Sequence, residues 1–262
     1  MDDLEKIKKY WEDQARTLQN DPRATTQDVY MRQIEIDYIT DFLDAQERPL
    51  RVLDIGCGNG YSTIMYKQKV PRHQYVGGDY SEEMIRVAGE RVAAESIEGV
   101  RFEVMDVLRL SEYGGKYDVI ISDRCLINLG SAANRKTALK EIAKCLMPGG
   151  QYLMIENFME GQGELNELRQ HVGLEEISVR WHNSFFTRRE LQDATKNHFD
   201  IERFEGISSL YYLVTRVVYS KLCEIEGRQP DYDHPIYKVA AMLPPMGNFG
   251  PICACLLRRK GQ

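Results

Sequence analysis

Hydrophobic and polar positions follow two periods along the chain, and the change between them marks a boundary near Pro49. Before it, apolar residues recur every three or four positions, which predicts helices over 2–19 and 28–46. After Leu50, short apolar runs alternate with amphipathic stretches. The runs predict strands at 51–55, 75–78, 100–104, 117–122 and 151–156, and the stretches predict helices near 60–69, 82–95 and 132–146.

Strands that alternate with helices at this spacing indicate βαβ units and a parallel sheet with right-handed crossovers. Beyond Asn157 the alternation weakens. There we expect helices at 161–171, 187–197 and 208–226, strands at 199–206 and 252–258, and a proline-containing loop over 227–248. We therefore divide the chain into an N-terminal helical lid (1–48), a ligand-binding core (49–158) and a region that completes the sheet and covers the substrate (159–262).

Composition narrows the function classes. The chain has 262 residues and 43% hydrophobic content, enough for one substantial core. Its formal net charge is −6, which argues against nucleic acid or an anionic membrane surface as partner. The N-terminus lacks the apolar segment of a secretory signal, and no apolar run reaches the length of a membrane span. These features predict a cytoplasmic protein.

The six cysteines contain no C-x-x-C pair and are scattered through apolar segments, which is typical of buried free thiols in a reducing compartment. No ordered set of His, Asp and Glu indicates a metal site. We therefore expect neither disulfides nor a bound metal.

A glycine-rich segment, Asp54-Ile55-Gly56-Cys57-Gly58-Asn59-Gly60, directly follows the first predicted strand. Alternating glycines let a ligand approach the backbone, and free N–H groups at the start of the next helix favour electron-rich groups. A plain strand-to-helix turn would explain one glycine, whereas three indicate a nucleotide site. A dinucleotide site would need its third glycine where Tyr61 stands.

The second strand ends at Asp79, where a carboxylate can accept both hydroxyls of an unphosphorylated ribose. Ser81 follows as a candidate helix N-cap, so Asp79 could instead belong to ordinary turn chemistry. We favour the ribose interpretation because the position matches that of the acid in nucleotide-binding folds.

Over residues 50–158 the sequence resembles the class I S-adenosylmethionine-dependent methyltransferases. The glycine segment is similar to the first motif of that family, and four more stretches follow in the family's order. They are Gly78-Asp79-Tyr80-Ser81, Glu103-Val104-Met105-Asp106-Val107, Tyr117-Asp118-Val119-Ile120-Ile121-Ser122 and Leu146-Met147-Pro148-Gly149-Gly150. The resemblance implies a Rossmann-like α/β fold with a doubly wound, mostly parallel seven-stranded sheet and an antiparallel last strand.

The same resemblance implies S-adenosyl-L-methionine as cofactor and assigns residues to it. Asp54, Cys57 and Tyr80 belong to motifs that contact the cofactor. The resemblance also implies that the backbones of Gly56 and Gly58 lie near the methionine part and that Asp79 binds the ribose. Met84 would pack against the adenine, Asp106 and Val107 would contact its edge, and Ser122 would line the methyl-donor pocket.

Methyl transfer from a sulfonium is an in-line displacement in which alignment and desolvation supply most of the acceleration. A hydroxyl acceptor also needs a base, whereas an amine need only be unprotonated. Three residues could be that base: Asp123 after the fourth strand, Glu156 at the end of the fifth, and His182, which stands among aromatic residues. The ordinary pKa of histidine suits proton transfer near neutrality. Each also has a structural interpretation, as an ion pair, a cap or a packed histidine.

The N-terminal helices could fold over the cofactor, with Arg32 pairing its carboxylate and Trp11 facing the sulfonium. Alternatively, Trp11 packs between helices and Arg32 forms a surface ion pair. The tyrosines within 159–248 predict either a cover for the substrate or a contact between the copies of a homodimer.

The function that we expect is methylation of a small-molecule or saccharide hydroxyl. N-methylation of an amine is the nearest alternative. A non-catalytic S-adenosylmethionine-binding module and a nicotinamide-dependent oxidoreductase fit less well.

Overall fold

A computed structural model describes residues 3–247 and 249–261. Residues 1, 2, 248 and 262 lie outside the described part, so the predicted helix start at residue 2 and the end of the predicted loop at 248 fall there. The strands are β1 (Arg51–Ile55), β2 (Gln74–Asp79), β3 (Val100–Val104), β4 (Tyr117–Asp123), β5 (Leu146–Asn157), β6 (Phe199–Gly206) and β7 (Ile252–Arg259).

Ten α-helices are assigned in the described part of the chain. They are α1 (Asp3–Leu18), α2 (Val29–Asp44), α3 (Tyr61–Lys69), α4 (Glu82–Glu95), α5 (Ala132–Cys145), α6 (Met159–His171), α7 (Arg188–Thr195), α8 (Ser209–Tyr212), α9 (Tyr219–Ile225) and α10 (Pro235–Ala241). A π-helical turn, Leu213–Val218, joins α8 to α9, and short 3₁₀ turns occupy Pro22–Ala24, Val107–Tyr113 and Leu126–Asn128.

The strands form one sheet in the order β3-β2-β1-β4-β5-β7-β6. β1 pairs in parallel with β2 and β4, whereas β7 is antiparallel to both β5 and β6. The predicted seven-stranded sheet with an antiparallel last strand is confirmed. Because strand order reverses between β1 and β4, the carboxyl ends of these strands open a crevice, which is where open α/β sheets bind ligands.

Side chains that alternate along the strands fill two cores, one on each face of the sheet. Leu53 and Ile55 of β1 pack with α5 and α7 on one face, while Val52 packs with α2 and α3 on the other. The fold is therefore a three-layer α/β/α arrangement.

Two local predictions differ from the structure. β5 begins at Leu146 rather than 151, because Leu146 already pairs with Tyr117 across a register shift. The predicted loop over 227–248 contains α10: Pro235 occupies the first helical turn and the His234 side chain accepts from the Ile236 N–H, so this proline starts a helix rather than breaking one.

Candidate functional site

A cavity of about 280 Å³ lies at the carboxyl edge of the sheet. Each of four neighbouring strands supplies one polar side chain from its carboxyl end: Asp54, Asp79, Asp123 and Asn157. Other regions of the chain contribute further lining residues, namely Trp11, Arg32, His182, Tyr212, Arg216 and Tyr232. Residues distant in sequence thus meet around one space at the switch point of the sheet.

The glycine-rich turn closes one end of this cavity. Gly56 has φ +80, and a Cβ there would lie 2.4 Å from Cys125 Sγ; Gly58 has φ +55, and a Cβ there would lie 2.7 Å from Thr25 Cγ2. Both positions therefore require glycine.

The first three N–H groups of the turn itself, which precede the start of α3, are already hydrogen-bonded. The N–H groups of Gly56 and Cys57 donate to Gly78 O at 2.7 and 3.1 Å, and that of Gly58 donates to Asp79 Oδ2 at 2.9 Å. These bonds fasten the turn to β2. The turn therefore contributes space and backbone proximity to a ligand rather than these donors.

Asp54 and Asp79 stand side by side at the ends of β1 and β2. Asp79 accepts from the N–H groups of Gly58 and Ser81, both at 2.9 Å, which leaves one lone pair on each carboxylate oxygen. Burial raises the pKa of both acids, that of Asp54 to about 7, although Thr63 donates to Asp54 Oδ2 at 2.5 Å.

A second, mainly apolar cavity of about 190 Å³ adjoins the first, and Gly56, Tyr80, Cys125 and Asn128 line both. Its further lining residues are Leu4, Glu5, Lys8, Ile55, Met105, Asp106, Val107, Leu108 and Leu129. Met84 lines only the larger cavity. The smaller cavity thus has the character of a pocket for a flat apolar group, and α1 forms one of its walls.

Unpartnered polar atoms concentrate around the larger cavity. In residues 3–247 and 249–261, nine buried side-chain N or O atoms have no hydrogen-bond partner, and eight of them belong to residues that line this cavity. They are Arg32 Nε, Tyr66 OH, Tyr80 OH, Asp123 Oδ1, Arg124 Nε, Asn128 Oδ1, Asn157 Oδ1 and His182 Nδ1. Such atoms are costly to bury without a partner, so the cavity is built for a polar ligand.

Arg32 projects from α2 into this cavity. Its side chain is buried, and burial together with Arg124 lowers its pKa, although Asp123 and Glu35 oppose that shift. A buried guanidinium with a free N–H is suited to a carboxylate ligand.

Beneath Arg32 lies an acid that the sequence analysis did not identify. Glu35, one helical turn after Arg32, is fully buried and accepts from Arg124 Nη2 at 2.9 Å. Arg124 has φ +51, a left-handed conformation that is costly for a non-glycine residue. The sequence does place Arg32 and Glu35 on one face of α2, which could have pointed to Glu35. The residues around it in sequence, however, do not show that this face is buried against β4.

His182 is enclosed by aromatic rings of the lid and of its own loop. Its ring stacks on Tyr10 with centroids 4.8 Å apart, and Trp11 and Trp181 meet it edge-on at 5.5 and 5.4 Å. Burial and the nearby Arg180 lower the pKa of His182 to about 4. The imidazole is therefore neutral at pH 7, with Nδ1 free.

Two predicted site residues lie away from the cavity. Glu156 is fully buried, and its oxygens accept from the N–H groups of Cys125, Leu126 and Ile127 at 3.1, 2.7 and 3.2 Å. Ser122 is also buried and hydrogen-bonds Tyr152 OH at 2.6 Å. Neither lines the cavity. The base role for Glu156 and the pocket-lining role for Ser122 are corrected accordingly: Glu156 holds the turn after β4, because its lone pairs are occupied there.

A further cluster, not identified from the sequence, joins the lid to the substrate-cover region. Asp28 caps α2 by accepting from the Met31 N–H at 3.0 Å, and it accepts from Arg216 Nη2 at 2.5 Å. Arg216 lies in the π-helical turn, with its guanidinium about 5 Å from the rings of Tyr212 and Tyr232. When a π-helical turn interrupts an α-helix, it often lies at a functional site.

The structure describes no group of three or more potential metal ligands, within the residues it covers. Among the helices of residues 3–247 and 249–261, none combines the length and apolarity that a membrane crossing requires.

Residues 52–150 match the family model described as a methyltransferase domain. Demethylmenaquinone methyltransferase of Deinococcus radiodurans is 31% identical over 108 residues, which cover 41% of this chain and 43% of that protein. Malonyl-(acyl-carrier protein) O-methyltransferase of Priestia megaterium is 24% identical over 84% of this chain and 80% of that protein. The chain matches 43% of the length of the Deinococcus protein and 50% of the length of the demethylmenaquinone methyltransferase of Thermus thermophilus, so it spans about half the length of these relatives or less.

The fold has solved counterparts. Magnesium protoporphyrin IX methyltransferase from Synechocystis PCC 6803, solved with bound S-adenosylmethionine, superposes with a TM-score of 0.61 at 16% identity, over 99% of this chain and 98% of that one. The same enzyme with S-adenosylhomocysteine gives 0.62. Residues 52–150 thus match a methyltransferase domain, and the whole chain shares the fold of these enzymes, in agreement with the resemblance to the class I S-adenosylmethionine-dependent methyltransferases and with the cofactor that it implies.

Proposed function

We propose that this protein transfers a methyl group from S-adenosyl-L-methionine to a hydroxyl group of a small molecule. One observation carries the proposal: eight of the nine buried unpartnered polar atoms in the described residues line a single cavity. That cavity begins at the glycine turn and Asp79 and extends to Asp123 and His182. It joins a nucleotide-binding end to an end with groups that can accept a proton.

The residues fit the cofactor part by part. Asp79 has lone pairs for two ribose hydroxyls, and Arg32 has a free buried N–H for the carboxylate. The smaller cavity, with Tyr80 and Val107 in its walls, suits the adenine. Met84 lies outside that cavity, so in this proposal it supports the ribose side instead.

The cofactor, when bound, supplies a methyl group on a sulfonium. The protein's contribution is to orient the acceptor in line with that methyl and to exclude water. Tyr10 and Trp11 of α1 exclude water by covering His182. Arg124, held by Glu35, fixes the floor of the cavity beside Asp123.

The acceptor hydroxyl must lose its proton as its oxygen forms the new bond to carbon. His182 Nδ1 and Asp123 Oδ1 are buried atoms of the cavity wall, and either can take that proton; Nδ1 has no hydrogen-bond partner, whereas Oδ1 lies 3.7 Å from Arg124 Nε in an ion pair. His182 is the better candidate because its ring is neutral and its Nδ1 is not ion-paired, although the lowered pKa makes it a weaker base than an ordinary imidazole.

Two relatives bear on the acceptor's chemistry. The Priestia megaterium protein is named as an O-methyltransferase, whereas a phosphatidylethanolamine N-methyltransferase of Cereibacter sphaeroides is 25% identical over 55% of this chain and 68% of its own length. N-methylation therefore remains the alternative. The imidazole of His182 and the carboxylate of Asp123 can act as a base, which favours a hydroxyl acceptor, since an unprotonated amine needs no base.

The test has two stages. Mass spectrometry of nucleotide released from purified protein, with calorimetric titration of S-adenosylmethionine, should show specific binding; recovery of a nicotinamide dinucleotide would contradict the proposal. Incubation with methyl-labelled donor and matched panels of alcohols and amines should then label alcohols. Labelling confined to amines would establish the N-methylation alternative.

A further inference from the structure

The acceptor end of the cavity has a definite hydrogen-bonding character. It is built where residues 184–186 cross the carboxyl ends of two strands: the Ser184 N–H donates to Ile127 O at 2.7 Å, and the Phe186 N–H donates to Asn157 O at 2.9 Å. These two bonds hold Phe185, which lines the cavity, between the turn after β4 and the end of β5. The subsite is therefore fixed by backbone pairing rather than by a mobile loop.

Three of the unpartnered atoms at this end can accept hydrogen bonds. Asn157 and His182 are 7% and 5% exposed, and their Oδ1 and Nδ1 atoms have no partner. Asn128 Oδ1 also lacks one, and its amide orientation is set because Nδ2 donates to Arg124 O at 2.9 Å. The two amide oxygens accept, and His182 Nδ1 accepts in the tautomer with the proton on Nε2, so a ligand that brings several donors satisfies all three.

Both hydroxyl groups and ammonium groups donate hydrogen bonds, and the charge around the subsite distinguishes them. Four arginines and four aspartates line the cavity, and Arg124 and Arg216 pair with Glu35 and Asp28. Arg180 is close enough to His182 to lower the pKa of its ring. Because the formal charges of this lining balance, a ligand with a net charge would find no unmatched counter-charge, so a neutral donor-rich ligand is favoured.

The subsite also has an apolar surface. Phe185 supplies one ring, and Trp11 and Tyr232 contribute further rings to the cavity wall. A compact ring compound with hydroxyls on its edge and C–H groups on its face matches such a wall, because its hydroxyls reach the acceptors while its face covers the aromatic rings.

We propose that Asn128, Asn157 and His182 form an acceptor subsite for a neutral polyhydroxylated ring, a sugar or a cyclic polyol, with Phe185 against the ring face. This inference rests on the proposed function, since it assigns the substrate class of the same cavity. It also gives Asn157 a role in binding the acceptor, distinct from the proton transfer assigned to His182.

Saturation-transfer NMR on the protein saturated with S-adenosylhomocysteine tests this subsite. The probes are methyl glucopyranoside, myo-inositol, and methyl 2-amino-2-deoxyglucopyranoside, which replaces one hydroxyl by an ammonium group. We expect signals from the neutral probes and a weaker signal from the amino sugar. Preference for the amino sugar, or no signal from any probe, would overturn the inference.

Variants locate the binding. Asn157→Leu should weaken binding of the neutral probes by about two- to tenfold, the effect of one lost neutral hydrogen bond. Asn157→Asp, nearly the same in shape, should move preference towards the amino sugar. Asn197→Leu makes the same change at an exposed site and should leave all three signals unaltered.

Calorimetry with S-adenosylhomocysteine, run on each variant, separates this inference from the proposed function. Unchanged nucleotide affinity with unchanged probe binding in Asn157→Leu would contradict the subsite alone. Failure of the wild-type protein to bind the nucleotide would contradict the proposed function itself.

Discussion

Tyr10 of the N-terminal helix stacks on His182 of the substrate-cover region, with ring planes 21° apart. These residues are 172 positions apart in sequence, and neither belongs to the five core segments that resemble the family's motifs. Their contact places the lid directly over the residue that we propose as proton acceptor. The lid therefore covers one face of the ring, and the ring also lines the cavity.

We predict that loss of this contact impairs turnover more than folding. Tyr10→Ala combined with Trp11→Ala removes two rings from His182 but leaves Ile7 and Ala15, the buried residues of α1, in place. Turnover should fall and the dissociation constant of the donor should rise, while circular dichroism stays unchanged. Normal turnover would show that α1 only packs. Deleting residues 1–28 would be a poorer test, because it also removes Asp28, the cap of α2.

His182 should titrate near pH 4 in the folded protein. Because this pKa lies below the ordinary value of 6.5, the unfolded state binds more protons between these pH values, and stability falls as pH decreases through that window. An NMR titration of the imidazole gives the midpoint directly. His182→Phe should reduce the loss of stability between pH 6.5 and 4 in urea unfolding, relative to wild type. A midpoint near 6.5 would show that the ring is hydrated.

His182 should also be needed for rapid methyl transfer. With the acceptor identified, His182→Ala should lower the single-turnover rate by about 10²–10⁴, the range for general-base catalysis. Asp123→Asn is the parallel test of the second candidate. If both variants stay within about threefold of wild type, far below that range, the hydroxyl mechanism through these atoms is wrong.

Asp79→Ala should weaken donor binding by about 1.5–3 kcal/mol, the value of hydrogen bonds to a charged group. The loss has two sources, since Asp79 would bind the ribose and also holds the Gly58 N–H. Asp79→Asn keeps the shape and should lose less. Calorimetry measures both variants, and an intact affinity in Asp79→Ala would refute the ribose role.

Arg32 should recognise the carboxylate of the donor. The wild-type protein should bind S-adenosylmethionine more tightly than its decarboxylated analogue, and Arg32→Met should abolish that preference. Arg23→Met provides a control, because Arg23 pairs with Asp233 at the surface. Equal discrimination by wild type and Arg32→Met would assign Arg32 to packing.

Glu156→Gln should behave as a structural variant and not as the loss of a base. Glutamine replaces one acceptor oxygen by an NH₂ group, which would face an N–H of the turn at Cys125, Leu126 or Ile127. We expect a lower melting temperature and a reduced rate whose pH dependence keeps its wild-type midpoint. A shifted midpoint would restore Glu156 as a candidate base.

The core of the fold could be predicted because its signals are local. Alternating apolar runs gave β1 and β3 with their observed bounds, and Asp79 was identified by its position at the end of a strand. The acceptor end could not be predicted in this way. Glu35, Asp28 and Arg216 acquire meaning only through contacts between distant segments, and Glu156 was misassigned because its occupied lone pairs depend on the turn after β4.

Trp11 and Trp181 are the chain's two tryptophans, and both rings lie within 6 Å of His182. All of the indole fluorescence of this protein therefore originates at the contact between the lid and the substrate cover. Emission spectra can follow opening and closing in unlabelled wild-type protein, with no tryptophan elsewhere to contribute background.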